Sequence, residues 1–130
     1  MLHGGLARSD ITVYDPSMAL LGWGVPSHRP QAVGLPLYAR AMVLREGAHG
    51  PALALVVVDL CFISTAIRKG VERRLRTTHA ELALHGRTML LATHTHAGPN
   101  GISDHLYFEL SAPGVSNATR ETIVSGICDA

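Results

Sequence analysis

Two apolar, partly β-branched runs stand out along the chain: Leu37 to Leu44 (LYARAMVL) and Leu53 to Asp59 (LALVVVD). Between them, Arg45-Glu46-Gly47-Ala48-His49-Gly50-Pro51 carries the glycines and proline of a loop, so the runs read as antiparallel strands. Val56-Val57-Val58 is continuously apolar, which suits a strand covered on both faces. Apolar spacing then lengthens: Ile63, Ile67, Val71, Leu75, Thr78 and Leu82 fall on one helical stripe, with Arg68, Lys69, Glu72, Arg73 and Arg76 opposite. The pattern predicts a helix from about Ser64, its N-cap, to His85, stopped by Gly86 in the left-handed conformation. Arg87 to Thr93 (RTMLLAT) reads as another buried strand. Strand, helix and strand in this order form a βαβ unit with a right-handed crossover, so its strands are expected to be parallel.

Polar and glycine-rich residues from His94 to Ser103 mark a loop, followed by a short helical piece at Asp104 to Leu110. Ser116 or Asn117 caps a last helix with Ile123, Val124 and Ile127 facing inward. That helix is still running at Ala130, the mark of a fragment or else of a frayed terminal helix. The expected architecture is therefore α/β: an antiparallel strand pair leading into a βαβ unit, then a C-terminal helix. Residues 1–130 make one segment, an incomplete part of a larger domain.

Composition narrows the function. With 47% hydrophobic and 16% charged residues, the chain can build a core and is not a disordered tail. A net charge of +1 leaves no electrostatic footprint for nucleic acid, and the basic stretch from Arg68 to Arg76 fits the solvated face of the helix. The two cysteines, Cys61 and Cys128, cannot form a disulfide framework and are expected to be reduced thiols. No apolar run reaches the roughly 18 residues of a membrane span. Met1 to Gly5 lacks the features of a secretory signal, which leaves a cytoplasmic protein if that start is native and a secreted one if a leader is missing.

The candidate chemistry lies in Thr93-His94-Thr95-His96-Ala97-Gly98-Pro99-Asn100-Gly101. This run leaves the carboxyl end of an expected parallel strand, where ligands gather in open α/β sheets. In extended backbone, residues two apart project to the same side, roughly 6.5 Å apart along the strand. His94 and His96 can then address one site, either as two ligands of a zinc ion or as one ligand beside a substrate-facing base. A bare His-x-His pattern equally describes two polar loop residues. Asp59 ends the neighbouring parallel strand at the same edge. It either orients an imidazole at one remove from the metal or caps the following helix through Ser64 or the loop amides. His3, His28, His49, His79, His85 and His105 are scattered and read as surface residues.

The run Leu91-Ala92-Thr93-His94-Thr95-His96-Ala97-Gly98-Pro99 resembles the THTHSGP signature of neutral and alkaline ceramidases, with Ala97 for the usual serine. The resemblance continues in order on both sides. Asp10-Ile11-Thr12 resembles the family's DIT, Leu20-Leu21-Gly22-Trp23 its MMGY segment, and Tyr38-Ala39-Arg40-Ala41 its aromatic-Ala-Arg-Ala strand. Val58-Asp59-Leu60 with Ile63-Ser64 is similar to its strand-to-helix turn, and Ser116-Asn117 to Gly126-Ile127 to the helix after the signature.

What the resemblance implies is a zinc-dependent amidohydrolase that cleaves the N-acyl amide of ceramide or a similar lipid, releasing a fatty acid and a sphingoid base. It makes His94 a zinc ligand, makes His96 a catalytic and substrate-binding residue, and places Gly22 beside the substrate headgroup. The family's other zinc ligands (a histidine, a glutamate and a tyrosine) and its serine lie further along a longer chain. The implied partners are thus an N-acyl substrate and the C-terminal portion of the catalytic domain. At one point the sequence departs from the pattern: ceramidases carry a histidine and an arginine where Gly34-Leu35-Pro36 stands here, as in bacterial homologues. The competing expectation is a non-catalytic protein, a truncated remnant or a small α/β module that keeps the scaffold without the chemistry.

Overall fold

The computed structural model describes residues 1–111 and 114–130, with the side chains of 109–111 left aside. Four strands, β1 (Leu2–Asp10), β2 (Tyr38–Glu46), β3 (Ala52–Val58) and β4 (Thr88–Ala92), form one sheet in the order β1-β2-β3-β4. The pairs β1–β2 and β2–β3 are antiparallel and β3–β4 is parallel. Three helices accompany the sheet: α1 (Thr65–Thr78), α2 (Leu106–Ser111) and α3 (Asn117–Asp129). The α/β class, the antiparallel pair, the parallel βαβ unit and the final helix all match the sequence reading.

One strand was not foreseen. β1 carries Gly4 and Gly5 and shows no alternation, and its residues are almost all exposed. Its place comes from a nine-residue register running from Leu2 opposite Glu46 to Asp10 opposite Tyr38, which backbone groups rather than side chains hold.

α1 begins where expected: the Ser64 hydroxyl accepts from the Ile67 amide, a cap worth about 1 kcal/mol. It ends earlier than expected, at Thr78 rather than near His85. The Thr77 and Thr78 hydroxyls both donate to the Arg74 carbonyl, competing with the helical ladder at the last turn. A 3₁₀ turn over Ala80–Leu82 follows, with Ala83 in the left-handed region, and Gly86 takes its expected positive φ of 70°. The apolar stripe therefore stops at Leu75: Ile67, Val71 and Leu75 are buried, whereas Thr78 is exposed.

The core lies between α1, α3 and one face of the sheet, where Ala39, Ala41, Ala54, Val56, Val58 and Leu90 are buried. The two helices approach closely because Gly70 has no side chain; a Cβ there would come within 2.7 Å of Val124 Cγ2. Ser116 caps α3 by accepting from the Thr119 amide, and Ile123, Val124 and Ile127 face inward as expected. The short helix expected at Asp104 to Leu110 is α2, two residues later at its start. Two-sided cover of Val56 to Val58 is met on one side only: Val56 and Val58 are buried, Val57 is half-buried, and Leu53, Met89 and Leu91 on its face are exposed. No helix among the described residues is long and apolar enough to cross a membrane.

Candidate metal centre at the sheet edge

The carboxyl ends of β3 and β4 release two loops side by side. The parallel ladder closes where the Thr93 amide donates to the Val58 carbonyl at 3.0 Å. One residue later His94 adopts φ 62°, the left-handed region, which costs a residue with a β-carbon about 1–2 kcal/mol. Such strain persists only where the surroundings enforce it, and it concentrates at functional sites. Here the enforcing contact is visible: His94 Nδ1 lies 2.7 Å from the Cys61 carbonyl, on the loop that leaves β3. A carbonyl can only accept, so Nδ1 carries the proton and donates it. In the neutral ring this leaves the Nε2 lone pair free, the arrangement found in metal-bound histidines.

His96 stands beside it, with ring centroids 5.0 Å apart at 65°. Its position is set by residues 19–23, which lie along the motif loop. The Leu21 amide donates to the Gly98 carbonyl at 3.1 Å and the Asn100 amide to the Ala19 carbonyl at 3.2 Å, around a bridge between Leu20 and Pro99. Gly22 meets the imidazole face of His96. With φ 103°, and with a Cβ that would sit 2.8 Å from the ring, this position requires glycine. Trp23 then packs against His96: Nε1 donates to the His96 carbonyl at 2.9 Å, and the indole packs edge-on to His96 and at 4.8 Å from the His28 ring. The structure thus brings Gly22, His94 and His96 to one place.

Asp59 lies at the same edge as His94, as the parallel strands require, but its carboxylate is engaged elsewhere. It accepts from the Tyr38 amide and pairs with the Arg40 guanidinium, both at 2.9 Å, tying the start of β2 to the end of β3. Orientation of the His94 ring falls instead to the Cys61 carbonyl. A cavity of about 970 Å³ opens on this side, lined in part by Arg40, Asp59, Thr95, Ala97 and Pro99.

Three members of the site went unnoticed in the sequence. Trp23 and His28 join it through the loop crossing just described. Cys61 joins it through its own ligand atom: Cys61 Sγ and ring nitrogens of His94 and His96 all lie within 4.8 Å of one another, the one such group among the described residues. The signal for Cys61 was its position, three residues past the end of β3 at a ligand-gathering edge. Burial pushes its thiol above the usual range, as it does for Cys128, pushed up to about 11 between the helices. Sulfur and imidazole donors together suit zinc, and the pinned Nδ1 of His94 is the support such a ligand needs.

Comparison with known proteins identifies the family. Residues 3–130 match the family described as "Neutral/alkaline non-lysosomal ceramidase, N-terminal". The neutral ceramidase of Pseudomonas aeruginosa is 33% identical over 123 residues, covering 95% of this chain and 18% of that protein. That of Mycobacterium tuberculosis is 34% identical over 131 residues, covering 99% of this chain and 21% of that protein. The crystal structure of the Pseudomonas aeruginosa enzyme superposes with a TM-score of 0.88 at 32% identity, over 98% of this chain and 20% of that one. The chain thus spans about a fifth of the length of these relatives. On sequence and structure alike, it belongs to the neutral/alkaline non-lysosomal ceramidase family, matching its N-terminal part.

Proposed function

We propose that residues 1–130 form the N-terminal segment of the catalytic domain of a zinc-dependent amidohydrolase, which hydrolyses the N-acyl amide of ceramide or a similar lipid to a fatty acid and a sphingoid base. The observation that carries this reading is His94: strained into the left-handed region, at the carboxyl edge of parallel strands, with Nδ1 anchored and Nε2 free to bind a metal. A zinc ion, when bound, supplies activation of the attacking group and polarisation of the amide carbonyl.

The chain's own residues divide the remaining work. His94 holds the ion through Nε2. His96, kept in place by Gly22 and Trp23, faces the substrate and exchanges a proton or hydrogen bond with it. Gly22 lies beside the substrate headgroup, and its lack of a side chain leaves the His96 ring its place. Asp59 acts at one remove, fixing with Arg40 the strand end from which the Cys61 loop departs. The other zinc ligands and the nucleophile belong to the C-terminal portion of a longer protein, which also covers the exposed sheet face of Leu53, Met89 and Leu91. Taken alone, the 130-residue chain does not hydrolyse ceramide.

Metal analysis and turnover of the longer protein test the division of roles. His94→Ala is expected to lose zinc and activity together, and His96→Ala to keep zinc while losing activity. Equal zinc loss in both variants would contradict it.

A further inference from the structure

Ser64 does more than cap α1. The residue is buried, and its hydroxyl is used twice: the oxygen accepts from the Ile67 amide at 3.1 Å, and the single proton goes to the Ile102 carbonyl, which can only accept. Capping needs only the first of these bonds. The second ties the chain that leaves β3 to the far end of the motif loop that leaves β4, 38 positions away.

That bond is the last of three rungs lacing the two loops. The first is the Thr93 amide on the Val58 carbonyl at 3.0 Å, and the second is His94 Nδ1 on the Cys61 carbonyl at 2.7 Å. The Ile102 end of the third rung is a fixed post. Ile102 is fully buried, and the Gly101 carbonyl before it accepts from the Ser116 amide at 3.2 Å and from Arg120 Nε at 3.1 Å, both at the start of α3. Between the second and third rungs stand only Phe62 and Ile63. So short a span cannot absorb a displacement of Ser64, which passes to the Cys61 carbonyl and from there to the His94 ring.

We propose that Ser64 is a positioning residue of the metal centre: by donating to the Ile102 carbonyl, it holds the Cys61 carbonyl where that group aims His94 Nε2 at the ion. The proposal rests on the assignment of His94 as a metal ligand. Ser64 itself touches neither ion nor substrate. Loss of the group that orients a ligating imidazole costs about 10–100-fold in metal affinity, and Ser64, acting through one carbonyl, belongs at the lower end.

Zinc affinity of the longer protein, measured by chelator competition alongside urea denaturation, is the test. Glycine is a tolerated N-cap, so Ser64→Gly removes the bond to Ile102 with little loss of capping. It is expected to lower zinc affinity about tenfold, whereas Ser64→Thr, which keeps the hydroxyl, stays within about twofold of the wild type. Val71→Ala, which opens a cavity on the buried face of α1, is expected to lower stability and leave zinc affinity unchanged. Unchanged affinity in Ser64→Gly, or a loss as large in Ser64→Thr or Val71→Ala, overturns the positioning role while His94→Ala still abolishes zinc binding. Zinc retained by His94→Ala overturns the assignment of His94, and the role of Ser64 with it.

Discussion

On one face of the sheet, Ala41, Ala54, Val56, Val58 and Leu90 lie under α1 and α3. On the other, Leu6 is 82% exposed, Leu53 53%, Met89 57% and Leu91 44%. Strands β3 and β4 are about equally apolar on the two sides, so composition does not separate them. Cover does. The covered face carries small residues that let two helices settle close, whereas the bare face carries long side chains suited to meeting another layer. Between the faces, at the carboxyl ends of β3 and β4, lies the edge that holds the histidines, where neither rule applies and the backbone is strained. Packing thus belongs to one face, the histidine cluster to the edge, and exposed apolar side chains to the other face.

The largest expected effect is on the covered face. Ile67→Ala, at a fully buried position on α1, should cost about 2–5 kcal/mol in urea denaturation. A loss below 1 kcal/mol would mean that this face is not the organising core. Next comes the edge: Gly22→Ala must place a methyl group against His96 at a φ of 103°, at a cost of about 1–3 kcal/mol. The same variant should shift the His96 imidazole resonances, and unchanged resonances would deny the contact.

A smaller effect separates strain from chemistry. His94→Gly and His94→Ala both lose the imidazole and its bond to Cys61, but only glycine relieves the left-handed φ. His94→Gly should therefore be about 1 kcal/mol the more stable of the two, and equal stabilities would mean that the backbone relaxes without hindrance. Smallest is the bare face. Leu53→Lys should change the stability of this chain by no more than about 0.5 kcal/mol while reducing its self-association in sedimentation. A loss of several kcal/mol would show that the face is packed within the chain and that the contrast is false.

Legibility in the sequence followed the same division. The α1 stripe, the Ser64 and Ser116 caps, the antiparallel pair and the parallel β3–β4 arrangement could be read because each rests on local periodicity or a connection rule. β1 could not, because an exposed, glycine-bearing strand leaves no periodic trace and is held by backbone pairing to residues 28–44 positions away. The end of α1 was misplaced because the apolar spacing continues to Leu82, while the Thr77 and Thr78 hydroxyls on Arg74 end the ladder first. At the site, His94, His96 and Gly22 were legible from an ordered set of family motifs. The partner of the imidazole was not: Asp59, a candidate for it, is a carboxylate at the right edge, yet Arg40 and the Tyr38 amide claim it.

By itself, the sequence determined the class of fold, the edge at which the candidate histidines gather and the family to which the chain belongs. Each is written in residues near one another or in an order of motifs that needs no coordinates. Tertiary structure alone decided that Cys61 faces the histidines, since 33 positions separate it from His94 and only parallel pairing of β3 with β4 brings their loops together. It also decided that Trp23 packs between His28 and His96, because two loops without periodicity meet through backbone hydrogen bonds whose partners no side-chain pattern encodes.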